Sequence, residues 1–61
     1  MEIKYEVRVY LDDGKSYKES WIATLDFLSY ELAKESVERN IKNGYRVRLF
    51  VKTEEEIVVF Y

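Results

Sequence analysis

Residues 29–44, with the sequence SYELAKESVERNIKNG, form the only segment of the 61-residue chain whose apolar stripe is as long as a helix. The stripe recurs at steps of three, four and one residue, which gathers its members on one side of an α-helix. These members are Leu28, Leu32, Ala33, Ser36, Val37, Asn40 and Ile41. We therefore predict one helix that covers the whole core with this side.

The ends of this helix are indicated by capping residues. Either Asp26 or Ser29 is able to accept hydrogen bonds from the first free backbone N–H groups. Gly44 follows the last apolar position, and glycine tolerates the positive φ that often ends a helix. The start is therefore defined to within about three residues, and the end lies near Asn43 and Gly44.

Three other segments have the pattern of β-strands. Residues 3–11 and 45–52 alternate apolar and polar side chains, as half-buried strands do, and residues 57–61 are fully apolar. Polar turns at residues 12–15 and 53–56 separate neighbouring strands. The register of the last strand stays open. A three-residue loop turns Ile57, Val59 and Tyr61 inward, and a four-residue loop turns Val58 and Phe60 inward.

A second strand follows the turn at Asp12, Asp13 and Gly14, and its register depends on the length of the loop. A two-residue turn at Asp13 and Gly14 sets the apolar side of strand one against a largely polar side of strand two. A three-residue loop brings the apolar sides together, so we favour it. It pairs Val9 with Tyr17, Val7 with Glu19, Tyr5 with Trp21 and Ile3 with Ala23, which makes Tyr5 and Trp21 core residues.

The order of elements is then β-β-α-β-β in a single domain, residues 1–61, with no Pro and no linker-like segment. We predict a two-layer α+β fold. Its four-stranded antiparallel sheet has the strand order 2-1-3-4, and one helix packs on one face.

Composition excludes several classes of function. The chain has no Cys and no His, which removes thiol nucleophiles, thiolate metal sites and the commonest general base. Its acidic turns lack the oxygen-ligand spacing of a calcium loop. We expect no enzyme activity, no cofactor and no metal. No signal peptide and no membrane span are evident, so we expect a cytoplasmic protein without membrane contact.

The face of the sheet opposite the helix is the candidate binding surface, because no predicted element is left to cover it. Six basic residues fall there against the acids Glu2 and Glu6, a net charge of about +4 (6 − 2) in a chain of net charge −2. Aromatic residues lie between them. The candidate binding residues are Arg8, Tyr10, Lys18, Ile22, Arg46, Arg48, Phe50, Lys52 and Phe60.

Such a face is ordinary for a solvated sheet, where basic residues discourage edge pairing. As a functional surface it favours a small non-enzymatic protein-binding module, an inhibitor or regulator acting through the open sheet face. Its partner is another protein or a second copy in a homodimer. The alternative is a single-stranded RNA- or DNA-binding module, with the basic residues on phosphates and Phe50 and Tyr10 on bases.

Overall fold

The computed structural model describes residues 3–53, and the backbone of residues 57–59. Its elements are β1 (Lys4–Tyr10), α1 (Tyr17–Ser20), β2 (Trp21–Phe27), α2 (Tyr30–Lys42), β3 (Arg46–Lys52) and β4 (Ile57–Val59). The strands lie in the order β2-β1-β3-β4, and every neighbouring pair is antiparallel. A small α+β fold with an antiparallel sheet and one long helix is therefore confirmed.

The last strand is described only as backbone over Ile57–Val59. Val58 lies opposite Val51, and Ile57 lies opposite Lys52. This is the register that a four-residue loop gives. Phe60 and Tyr61 lie outside the described residues.

The core lies between α2 and the central strands. Its buried members are Val7 and Val9 of β1, Ala33 and Val37 of α2, and Leu49 of β3. Around them pack the half-buried side chains of Tyr5, Phe27 and Val47. The odd-numbered side of β1 therefore faces the helix, as its alternation predicts, and Tyr5 belongs to this core.

Both ends of α2 agree with the sequence. Ser29 is the N-terminal cap residue by position, although its side chain does not accept the expected capping hydrogen bond, and Gly44 beyond the helix has a φ of +91°. The backbone N–H of Gly44 donates to Ile41 and that of Tyr45 donates to Asn40, each over 3.0 Å. These two bonds satisfy carbonyls that the helix end leaves free, in the pattern of a Schellman motif.

Helix α2 does lie over the buried core, but its apolar stripe is buried only along its centre, so the prediction that the whole stripe faces the core is wrong. Ala33, Ser36 and Val37 are buried, whereas Leu28, Leu32 and Ile41 are exposed. A helix about 10 Å wide covers roughly two strands spaced about 4.8 Å apart. Because α2 lies mainly over β1 and β3, the flanks of its stripe extend beyond the core.

The predicted hairpin register is also wrong, in both of its alternatives. Strand β2 begins at Trp21, and Val9 lies opposite Ala23 rather than Tyr17. The connection therefore takes residues 11–20 and contains α1, which Ser16 caps by accepting a hydrogen bond from the backbone of Glu19. Ser16 and Glu19 have the spacing of a capping box, a helix-start signal that outweighed the short turn. Trp21, predicted as core, is 60% exposed.

Among the described residues, neither helix has the length and apolar character needed to cross a membrane.

Candidate functional site

Residues 11–20 cover one end of the sheet face opposite α2, so the expectation that no element covers this face is wrong there. The Tyr17 ring packs edge-to-face on Tyr10, with 4.7 Å between ring centroids. As a result Tyr10 is only 5% exposed. Because its ring is covered, Tyr10 presents no free face for a base to stack on.

Asp13 organises this connection from within. Its carboxylate accepts the Ser20 hydroxyl at 2.6 Å and the Lys15 backbone N–H at 3.1 Å. The Ser20 hydrogen bond, followed by the Lys15 one, lowers the pKa of Asp13 below its ordinary value. The negative charge of Asp13 therefore holds α1 close to the end of β1.

Arg46, one of the predicted binding residues, holds residues 11–20 in place by hydrogen bonds. Its guanidinium donates to the carbonyl oxygen of Leu11 at 3.0 Å and to that of Lys15 at 2.9 Å. A carboxylate oxygen of Asp13 lies 3.7 Å from it. Arg46 therefore acts first as a structural residue, and less of its charge remains for a ligand.

Glu6 lies near the middle of the open face and is only 5% exposed. Its carboxylate accepts hydrogen bonds from Arg8 and from Lys52, the latter over 3.0 Å. Burial works to raise the pKa of Glu6, but these hydrogen bonds and the two positive charges outweigh it and lower the pKa below its ordinary value. The charges of Arg8 and Lys52 are thus partly neutralised.

Phe50 is covered by the arginines that were predicted to surround it. The guanidinium carbon of Arg8 lies 4.3 Å from the ring centroid, and that of Arg48 lies 5.4 Å from it. Phe50 is 8% exposed, so like Tyr10 it offers no free ring. Of the other predicted binding residues, Ile22 is exposed near the start of β2, and Phe60 lies outside the described residues.

Four predicted site residues line a common pocket of about 620 Å³ between the connection and the sheet. They are Arg8, Tyr10, Lys18 and Arg48. Two aromatic residues that sequence reasoning assigned to the hairpin, Tyr17 and Trp21, complete its walls. The capping box at Ser16 and Glu19 was the available signal, since it predicts that the chain turns before Trp21.

Two cations of this pocket have no acidic partner within the described part of the chain. No carboxylate described there lies within 4.0 Å of the charged nitrogens of Lys18 or Arg48. Arg48 instead lies over the Tyr17 ring, 4.8 Å from its centroid. A cation stacked on an aromatic ring keeps its hydrogen-bond donors available.

Trp21 is exposed but fixed in place. Its indole N–H donates to the carbonyl oxygen of Ala23 at 3.2 Å and to the hydroxyl of Thr24 at 3.1 Å. These bonds hold the edge of the ring against the strand. A flat, exposed aromatic surface therefore stands in a defined orientation at the pocket.

A second candidate surface lies at the free edge of the sheet. We call β2 together with Leu25, Leu28 and Leu32 the β2 edge surface; all three leucines are exposed, Leu28 to 74%. Among the strands that the structure describes, β2 pairs with β1 alone, so one row of its backbone hydrogen-bonding groups has no partner in them. Asp26 is the only charged residue of Trp21–Phe27, whereas free edges are usually protected by Lys or Pro.

The chain topology places these leucines together. Strands β2 and β3 are parallel to each other, since both are antiparallel to β1, and α2 connects them. Crossovers of this kind are right-handed in nearly all proteins. With this hand, the flank of α2 that carries Leu32 is on the side of β2, and Leu28 lies between β2 and α2 in the chain.

Within the described residues, no group of three or more His, Cys, Asp or Glu side chains gathers in a way that suits a metal ion. Comparison of the chain with protein-family models, with curated proteins and with solved structures gives no match. The pocket on the open face and the β2 edge surface are therefore the two features that point to a function.

Proposed function

We propose that the protein is a small non-enzymatic protein-binding module that takes a strand of its partner at the β2 edge surface. The observation that carries this proposal is a free, almost uncharged sheet edge beside three exposed leucines. Exposed apolar groups that lie next to one another mark interaction sites, whereas single exposed residues are common. Occupying a partner's strand is the action of an inhibitor or regulator rather than of an enzyme.

The β2 edge supplies both affinity and specificity for such a strand. The backbone groups of Trp21–Phe27 that point away from β1 are able to pair with an extended segment, as in β-strand addition. Residues of that segment alternate between the two sheet faces. Every second side chain therefore comes to lie beside Leu25 and under the flank of Leu28 and Leu32.

The charges beside the β2 edge surface favour one class of partner strand. Asp26 lies in the strand itself, and Glu35 follows Leu32 by three residues on α2, which makes these two residues neighbours on the helix. An extended segment with apolar residues at alternate positions and basic residues between them complements this acidic border. We therefore commit to an apolar and basic strand of another protein as the occupant.

The proposed interface lies at the sheet edge, and not on the open face where the sequence led us to expect it. The apolar row expected on the open face included Phe50, which is buried beneath Arg8 and Arg48. The leucines of the β2 edge surface are exposed instead because α2 is too narrow to cover them.

The test is selection from a displayed random-peptide library on immobilised protein, followed by binding measurements on the selected peptides by fluorescence polarisation. We expect peptides that alternate apolar and basic residues, and we expect Leu25→Lys to weaken their binding at least tenfold. Leu11→Lys is the matched control, because Leu11 is also exposed but follows the opposite end of β1.

Selected peptides that bind Leu25→Lys as tightly as the wild type would overturn the proposal. Sedimentation velocity distinguishes a second occupant. A wild-type dimer that Leu25→Lys converts to a monomer would assign the edge to a second copy of the chain and not to a foreign strand.

The single-stranded RNA- or DNA-binding alternative is favoured by one observation, at the other surface. Lys18 and Arg48 have no described carboxylate partner, and they share a pocket with the exposed ring of Trp21.

A further inference from the structure

We propose that the pocket between residues 11–20 and the open face of the sheet binds one nucleotide. The base stacks on Trp21, and Arg48 and Lys18 hold the phosphate. The ligand class is a nucleoside phosphate, either free or as one unit of a single strand. This inference goes beyond strand capture at the β2 edge surface and rests on different side chains.

The pocket carries an excess of positive charge. Of the described residues, Arg8, Lys18 and Arg48 line it, against the single carboxylate of Glu6. Their formal sum is about +2 (3 − 1), and Glu6 is further engaged by Lys52. A phosphate monoester, with a charge of about −1.5 to −2 at neutral pH, matches this excess.

The two unpaired cations suit a phosphate in different ways. Arg48 presents a planar set of N–H donors whose spacing fits two phosphate oxygens, and its position is fixed by contact with Tyr17 and Phe50. Lys18 is a flexible point charge on α1. Arg8 is less available because its guanidinium already donates to Glu6.

Among the described rings that line the pocket, one is free to stack on a base. Tyr10 is buried, and the ring of Tyr17 is in contact with Tyr10, Arg46 and Arg48. Trp21 is 60% exposed, and the hydrogen bonds of its indole N–H fix its orientation. Because the ring is ordered before a ligand arrives, stacking on it costs little conformational entropy.

The size of the pocket suits a ligand as large as one nucleotide. Its volume of about 620 Å³ lies within the range of roughly 300–1,000 Å³ usual for small-molecule sites. With one free ring, it accommodates one base. An acidic peptide would match the charge of Lys18 and Arg48, but it would leave the Trp21 ring without a partner.

The intrinsic tryptophan fluorescence of the protein monitors this site, because Trp21 is its only tryptophan. Titration with AMP, followed by fluorescence corrected for nucleotide absorption, is expected to quench Trp21 as the base stacks. Adenosine, which lacks the phosphate, is expected to bind at least tenfold more weakly than AMP. Ribose 5-phosphate, which lacks the base, is expected to leave the fluorescence unchanged while competing with AMP.

The source of the nucleotide is decided by a second titration with oligo(U) and oligo(dA) at low and moderate salt. A strand that binds more tightly than AMP, with affinity falling steeply as salt rises, assigns the site to single-stranded nucleic acid. Equal affinity per nucleotide assigns it to the free ligand. Both results support the nucleotide class.

The variants Lys18→Gln and Arg48→Gln are each expected to weaken AMP binding about tenfold, the size expected for one charge-assisted contact. Arg39→Gln, on the exposed side of α2, is the control and is expected to change nothing. Lys18 is exposed on α1, so its variant tests the site without disturbing the core. Leu25→Lys is expected to leave AMP binding intact, which separates this site from the β2 edge surface.

Absence of quenching by AMP and by both oligonucleotides at low salt would overturn the proposal. Equal AMP affinity in Lys18→Gln, Arg48→Gln and Arg39→Gln would do the same. Binding of an acidic peptide that AMP does not displace would also overturn it, and would assign the cations to a protein partner.

Discussion

The two faces of the sheet are closed by different physical means, although the same strands form both. On the helix side, Val7, Val37 and Leu49 exclude water by apolar packing. On the open side, Glu6 and Phe50 are almost as deeply buried, but they are covered by charged side chains rather than by apolar ones. A small domain with one long helix is thus able to close a second sheet face with arginine and lysine side chains.

The two kinds of cover differ in how many hydrogen-bond donors they leave available at the surface. An apolar core leaves no free hydrogen-bond donors and therefore offers nothing to a ligand. Arginines that lie over Phe50 and Tyr17 exclude water with their stems and guanidinium planes, yet they keep donors at the surface. The residues that close the open face therefore also keep the hydrogen-bond donors on which the proposed nucleotide site depends.

The largest expected effect tests the helix side. Leu49→Ala removes a fully buried side chain from the centre of the core and is expected to lower the free energy of unfolding by about 3 kcal/mol. A chain of this length has a total stability of roughly 3–9 kcal/mol, so the variant should be close to unfolding. Urea titration followed by circular dichroism measures the change. A loss smaller than that of Glu6→Gln would mean that the apolar side is not the main source of stability.

A smaller effect is expected on the open side, from Glu6→Gln. The neutral amide loses the charge that Arg8 and Lys52 share, and we expect a loss of about 1–2 kcal/mol at neutral pH. The control is Glu38→Gln, an exposed acid on α2, which should change stability by no more than about 0.5 kcal/mol.

The same variant predicts a change in pH dependence. The pKa of Glu6 is lowered in the folded protein, so its contribution is present above the ordinary carboxyl pKa of about 4 and is lost as the pH falls through the folded value. Glu6→Gln should therefore reduce the acid-induced loss of stability. Asp13, whose pKa is lowered as well, leaves a residual loss. Identical acid unfolding of the variant and the wild type would contradict the role given to Glu6.

The smallest effect is expected at the β2 edge surface. Leu32→Ala makes the same chemical change as Leu49→Ala, but on an exposed side chain, and should cost less than about 0.5 kcal/mol. The comparison of the two leucines by urea titration shows how much stability depends on position under α2. A loss as large as that of Leu49→Ala would show that Leu32 belongs to the core and not to a binding surface.

Several elements were predictable because they depend on local chemistry. The helix was identified from its stripe and from Gly44, and β1 and β3 were identified from alternation, since each signal lies within the element that it describes. Among the candidate site residues, Arg8, Tyr10 and Arg48 lie on the strands where alternation predicts them and line one pocket, and Lys18 reaches the same pocket from α1 rather than from the predicted strand. The burial of Tyr10 and Phe50 was not predictable, and neither were the hydrogen bonds that Arg46 donates to residues 11–20, because both depend on side chains of other elements.

The sequence by itself determined α2, β1 and β3 and the inward side of each central strand, because periodicity and capping act between residues a few positions apart. The register of β2, the fold of residues 11–20 and the exposure of Leu25, Leu28 and Leu32 were decided by the tertiary structure alone. They depend on Asp13 reaching Ser20, on Arg46 reaching the connection from another strand, and on the width of one helix over four strands. The contacts of Arg46 and the packing of the helix join distant parts of the chain, which no local pattern encodes. The start of α1 is the exception, because the capping box at Ser16 and Glu19 is a local signal for it.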